Sequence, residues 1–214
     1  MGGPKIQRDD PRMKTNPNLQ LRIHGVDGST TTFTQDDPVE VQRIVRDAQR
    51  PEFLAQDRIK IAGRHSVTTL VVSKIARIDL AGEGLSVGKP PRSRDIVELP
   101  EQEFFYQVEA RNIRRVERRR LQHQPGQTHA SFIDIQLVGG RHIYLKFQVV
   151  DVVPAERAQR IRAFLALPGL SFRSAGGGLG IVNLANAVKF TGCPGPVVVP
   201  GEGSSVYEAE SANP

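Results

Sequence analysis

The chain has 214 residues, with 29 Lys plus Arg against 23 Asp plus Glu, a formal net charge of +6 at pH 7, and 38% hydrophobic residues. That is apolar material for one generous domain or two small ones, and no apolar run approaches the roughly 18 to 20 residues that a membrane-spanning helix needs. With nine Phe, three Tyr and no Trp, the core must rest on Val, Ile and Leu in short runs, a composition that favours sheet.

Residues 1–18 are polar and Pro-containing, without a periodic apolar pattern, and are expected to form a disordered N-terminal tail. They contain no apolar stretch of the kind a secretory signal needs, and Ile6 stands where myristoylation wants Ser or Thr, so a cytoplasmic location is expected. The one cysteine, Cys193, excludes an internal disulfide and fits a reducing compartment. The basic residues are 22 Arg and 7 Lys. Apart from one Arg-rich segment they are spread along the chain.

From residue 19 the pattern becomes ordered. The alternating run LQLRIHG, the turn pair Asp27-Gly28 and the returning STTTFT predict a hairpin, because Asp-Gly accepts the positive φ of a tight turn. In DDPVEVQRIVRDAQRP, Asp36 or Asp37 can cap a helix from Pro38 to Gln49 whose Val41, Ile44, Val45 and Ala48 share one face. DRIKIAG, SVTTLVV and ARIDL read as further strands, which completes a first β-rich lobe over 19–80. The stretch 81–102, with Gly residues and the adjacent prolines 90 and 91, reads as a linker.

A second β-rich lobe is expected over 103–192. FIDIQLV, a Gly139-Gly140 turn and RHIYLKFQVV form a hairpin, and a helix follows in AERAQRIRAFLAL with Ile161, Phe164 and Leu165 on one face, stopped by Pro168-Gly169. SKIARI (73–78) aligns with ANAVKF (185–190), pairing Lys74 with Asn186, Ile75 with Ala187 and Arg77 with Lys189. The distance from Asp27 to Arg77 equals that from Gly139 to Lys189. RNIRRV (111–116) offers a third copy of the short motif. The expected fold is therefore α+β and β-rich, with two pseudo-repeated ββαββ-like lobes of short antiparallel strands, each with one helix. In the second half, element order over 103–167 also allows a pleckstrin-like small barrel. Residues 193–214, rich in Pro, Gly and Ser and acidic, are expected to be a disordered C-terminal tail.

Chemistry is hard to find in this pattern. His24, His65, His123, His129 and His142 lack metal-ligand spacing, and Cys193 has no adjacent His, so neither a metal nor a cofactor is expected. AGGGLGIVNLA (175–185) fails the dinucleotide fingerprint, because Asn183 occupies the third Gly slot and the run leads into β-like sequence; its glycines read as a flexible loop. The acid pairs Asp9-Asp10 and Asp36-Asp37 fall in the tail and at a helix cap. One segment stands out, ARNIRRVERRR, which carries Arg111, Arg114, Arg115, Arg118, Arg119 and Arg120. As a strand it is a charged edge that discourages aggregation, and as either strand or helix it can bind anions such as RNA or single-stranded DNA. The leading expectation is a non-enzymatic interaction module or adaptor with a protein partner, self-association included. The alternatives are nucleic-acid binding through the Arg segment and an enzyme whose site is assembled from dispersed residues.

Overall fold

The computed structural model describes residues 18–63, 66–82, 96–118, 128–150 and 154–193. The first half contains β1 (Leu19–Gly25), β2 (Thr30–Gln35), α1 (Pro38–Ala48), β3 (Arg58–Ala62), β4 (Val67–Val71) and β5 (Ile75–Ala81). Then come β6 (Val97–Glu98), α2 (Glu101–Arg118), β7 (Thr128–Leu137), β8 (His142–Val150), α3 (Pro154–Leu165), β9 (Gly169–Arg173), β10 (Leu179–Asn183) and β11 (Ala187–Cys193). Short 3-10 turns precede β3, β5 and β11, at Pro51–Leu54, Val72–Lys74 and Leu184–Asn186. Among the described residues no helix is long and apolar enough to cross a membrane.

The protein is β-rich and mixed α+β; its described residues build one nine-stranded sheet in the order β11-β7-β8-β6-β9-β10-β5-β1-β2, beside a separate β3-β4 hairpin. Local sequence chemistry explains α1. The Asp37 side chain accepts a hydrogen bond from the Val39 N–H, Pro38 occupies the first turn, and Val41, Val45 and Ala48 bury one face. That face joins Leu19 and Ile23 of β1, Ile78 and Leu80 of β5, Leu179 and Ile181 of β10, and Ile59 of the hairpin in one core. A second core gathers Ile135 and Leu137 of β7, Ile143 and Leu145 of β8, Leu170 and Phe172 of β9, and Val182 of β10. Strand β10 thus places alternate side chains in two cores, as the two-residue period of a strand requires.

The two halves use their hydrogen bonds in the same way. In the β1-β2 turn Gly25 N–H donates to Ser29 O, Gly28 N–H to Gly25 O, and Val26 N–H to Lys74 O. In the β7-β8 turn Leu137 N–H donates to Arg141 O, Gly140 N–H to Leu137 O, and Val138 N–H to Asn186 O. Gly28 and Gly140 both hold positive φ, at 84° and 80°, a conformation that glycine adopts without the penalty of a Cβ. Antiparallel β1 and β5 slip register where Gly25 faces Ile75 and His24 faces Arg77, leaving Ala76 as the extra residue of a bulge. Antiparallel β7 and β11 slip where Leu137 faces Ala187 and Gln136 faces Lys189, leaving Val188 as the extra residue. The step from Gly25 to Leu137 is 112 positions, and it also carries Ile75 to Ala187. The same step carries β4 onto β10, and the turn before β5 onto the turn before β11.

The halves share the sheet instead of forming two lobes. β10 of the second half pairs antiparallel with β5 of the first, with Leu179 opposite Leu80 and Ile181 opposite Ile78. Asn183, only 1% exposed, ties the junction. Its side-chain amide donates at 2.9 Å to both Val72 O and Ile75 O, and its side-chain oxygen accepts from Ala185 N–H. Asn186 adds a third side-chain donor to this region, to Ile75 O at 2.7 Å.

Several expectations need correction. RNIRRV lies in helix α2, so it is not a third copy of the β5-type strand, and the Arg-rich segment as far as Arg118 is helix, not an edge strand. Over 103–167 the described residues contain only β7 and β8 as strands, with helices before and after, in place of a run of antiparallel strands ending in a helix. Within 81–102, residues 83–95 lie outside the described residues, but β6 enters the sheet between β8 and β9 and α2 begins. The strand β9 is present where the sequence reading placed none. Cys193 closes β11 opposite Phe132 and does not belong to a tail. The run 175–185, expected as a flexible loop, contains the buried strand β10. The rest of the expected tails, residues 1–17 and 194–214, lies outside the described residues.

Asn183→Asp places a carboxylate against two carbonyl oxygens in a site closed to water. We expect it to lower the unfolding free energy by about 3 kcal/mol, read as a fall in the urea midpoint, while Asn186→Asp, nearer the surface, costs less.

Candidate functional site

The site around Arg77, the one buried charged residue among the described residues, begins with a glycine. Gly180 faces Phe172 across β10 and β9, and a Cβ at Gly180 would collide with the Phe172 ring. The missing side chain lets that ring lie across β10. The guanidinium of Arg77, from β5 on the other side of β10, then rests 5.2 Å above the ring centroid. Beyond it stands Glu98 of β6, whose carboxylate accepts from Arg77 Nη1 and from Nη2, the latter at 2.8 Å. Asp79 accepts from Arg77 Nε at 2.8 and 2.9 Å through its two oxygens. Arg77 is 6% exposed.

The chain of partners continues outward. Asp79 Oδ2 lies 2.9 Å from His24 Nε2, and His24 Nδ1 lies 3.0 Å from the Thr30 hydroxyl. A carboxylate only accepts, so Nε2 carries the donated proton, and Nδ1 of the neutral ring accepts from Thr30. At the far end the Ala175 N–H donates to Glu98 Oε2 at 3.2 Å. One polar face therefore runs from β2 through β1 and β5, over β10 and β9, to β6.

Burial alone would lower the Arg77 pKa, but its hydrogen bonds to Glu98 and Asp79 outweigh that and hold it above the ordinary value. Burial lowers the His24 pKa below 6.5, the Asp79 hydrogen bond opposes this, and the positive charges of Arg141 and Arg77 reinforce it. Both ring nitrogens of His24 are already engaged. The cluster functions as a clasp across the sheet, with its charges satisfied internally. The sequence reading missed it, because Glu98 and Arg77 are distant in the chain and meet only after β9 and β10 insert between β6 and β5. The clue available in the sequence was Arg77 and Asp79 at alternate positions of the otherwise apolar strand ARIDL.

A second cluster lies on β7, β8 and α2. Asp134 Oδ1 sits 2.8 Å from His142 Nδ1, and the His142 ring stacks on Tyr144. The Tyr144 hydroxyl donates to Glu101 at 3.1 Å, and its pKa is pushed up to about 12 by burial and by Glu101. Phe104 of α2 is buried against Phe132 and Tyr144, whereas Phe105 and Tyr106 are 52% and 73% exposed. Arg111, Arg114, Arg115 and Arg118 follow in the same helix, and Arg119 and Arg120 lie outside the described residues. Of the sequence-predicted histidines, His65 and His123 also lie outside the described residues, and His129 falls in β7. Cys193 is half-buried, and burial pushes its thiol pKa up, with Asp134 adding to the effect. Among the described residues no group of three or more His, Cys, Asp or Glu is placed to hold a metal.

Open sheet edges make up the third feature. Among the described residues the nine-stranded sheet ends at β2 and β11, and β4 has only β3 as a strand partner. Val188 at the β11 bulge is 61% exposed, and Val67 and Val71 of β4 are 67% and 46% exposed. The chain matches no protein-family model, no curated protein and no solved structure.

Two outcomes test the clasp. Arg77→Ala leaves two carboxylates facing each other and is expected to cost about 3 kcal/mol, more than Glu98→Gln, in denaturant titration. His24 binds its proton less readily folded than unfolded, so its contribution to stability is complete above pH 6.5. The contribution falls as the pH drops through that value and levels off below the folded pKa. His24→Gln should flatten this part of the stability profile between neutral and mildly acidic pH.

Proposed function

We propose that the chain is a non-enzymatic interaction module or adaptor, built from two copies of one ββαβββ unit, which binds a protein partner by strand addition at an open sheet edge. The observation that carries this reading is β11, an edge strand of seven residues with an apolar side chain exposed at its bulge. Edge strands are commonly blunted by charge, proline, a bulge or a covering element. β11 carries a bulge and Lys189 near its start, but Phe190 to Cys193 beyond them are uncharged and run regularly along β7, and such an edge is a template for an added strand. The matching register slips and turn hydrogen bonds support the two-copy reading, because independent sheets have no reason to share a bulge and a turn bond at one constant spacing. The charged groups of the clasp satisfy one another, which fits a structural role for them.

Affinity capture with the tagged protein, beside variants carrying Val188→Lys on β11 and Thr32→Lys on β2, tests the proposal. Proteins retained by the parent chain and lost with the β11 variant are the expected result. Retention unchanged by both edge substitutions would remove strand addition from consideration.

The exposed Phe105 and Tyr106, on the helix that also carries Arg111, Arg114, Arg115 and Arg118, support a second reading as an RNA or single-stranded DNA contact. This reading predicts anisotropy-detected binding that weakens steeply with salt and is lost when Arg114, Arg115 and Arg118 become Gln. No binding at micromolar protein in low salt removes it.

A further inference from the structure

We infer that the partner at the β11 edge is β4 of a second copy of this chain. The inference rests on the strand-addition reading above and gives it an occupant and a register. The protein already contains one example of the junction. Inside each chain β10, the outer strand of the second half's β9-β10 hairpin, pairs with β5 of the first half. The 112-position step that carries Gly25 to Leu137 and Ile75 to Ala187 carries β4 to β10 and β5 to β11. The strand that corresponds to β10 is therefore β4, and the strand that corresponds to β5 is β11. Each lacks, among the described residues of the single chain, the neighbour that its counterpart has: β4 pairs there only with β3, and β11 only with β7.

The internal junction also supplies the register. Leu179 faces Leu80, Gly180 faces Asp79, Ile181 faces Ile78 and Val182 faces Arg77. Shifted by the same step, Val67 of one copy faces Gly192 of the other, Thr68 faces Thr191, Thr69 faces Phe190 and Leu70 faces Lys189. Nothing lies within 4 Å of a Cβ built on Gly192, so there is room opposite it for the Val67 side chain. The outward face of β4 presents Val67, Thr69 and Val71, and no charged residue lies anywhere in the strand. Because each chain carries both a β4 and a β11, two copies can exchange the contact reciprocally and close a two-fold dimer. If the rotation does not close, the same heterologous contact propagates into a head-to-tail filament.

The test uses the full chain in a Cys193→Ser background with Val67→Cys and Gly192→Cys together, beside an off-register pair, Val67→Cys with Val188→Cys. Sedimentation of the parent chain at tens of micromolar is expected to give a mass of twice the monomer or more. Val67→Lys with Thr69→Lys, both at exposed positions, is expected to return it to monomer with its circular dichroism unchanged. Mild oxidation should link Val67→Cys/Gly192→Cys chains into covalent dimers, at least fivefold faster than the off-register pair. A parent chain that sediments as a monomer, or equal cross-linking of the two pairs, overturns the inference. Capturing a differently tagged second copy distinguishes the two levels of the argument. Other proteins held by β11 without any second copy would sink self-pairing and leave strand addition standing, whereas loss of every β11-dependent partner would sink both.

Discussion

The structure depends on getting the positive charge of Arg77 out of water without leaving it alone. An arginine in the middle of an apolar strand, between two cores, is destabilising unless its hydrogen bonds are met at good geometry. Here Asp79 meets Nε from two positions along the same strand, and Glu98 takes both terminal nitrogens from β6. Reaching β6 requires β9 and β10 to lie between, Gly180 to give up its side chain, and Phe172 to offer its ring as a floor. The charge therefore selects one strand order. A sheet in which the two halves remained apart would leave Arg77 with Asp79 alone.

The same site explains how the halves can be alike in plan and different in detail. The position of Arg77 in β5 is held by Lys189 in β11, and that of Asp79 by Thr191. At β5 the strand is interior and its polar groups are built into a network. At β11 the strand is an edge, half-exposed along its length. The amides of Asn183 and Asn186 act similarly, since they belong to the second half but saturate carbonyls of the first. Such one-way contacts give the molecule a direction, with β2 of the first half at one edge of the sheet and β11 of the second half at the other.

What could be read in the sequence was what local chemistry decides. A cap at Asp36 or Asp37, which the structure resolves as Asp37, Pro38 in the first turn, the Asp27-Gly28 and Gly139-Gly140 hairpins and the equal spacing from turn to strand all follow from short-range rules. The strand β9 escaped because GLSFR is short and follows a Pro-Gly stop, and β6 because two residues carry no periodicity. In α2 the four arginines obscured the start signal, in which the Pro100 carbonyl accepts the Phe104 N–H and Glu101 and Glu103 fill the first turn. The clasp could not be read from spacing, because its members come from β1, β2, β5, β6 and β9 and are joined only by the order in which those strands pair.

That order of pairing has a kinetic side. The hairpins β1-β2 and β7-β8 close over a few residues, whereas Ile23 meets Ile78, and Ile135 meets Phe190, only after a longer excursion of chain. Ile78 meets Ile181 across nearly twice that separation. Contacts of low sequence separation form with the least loss of chain entropy, so each half can organise its own strands before the two are joined. The β5 edge therefore stays open longest, with Arg77 and Asp79 still hydrated along it, and desolvating that pair is left to the closing step of folding. A polar strand edge that remains wet until its proper neighbour arrives is a poor template for the wrong one, and in this way the clasp protects the nascent chain as well as stabilising the finished sheet.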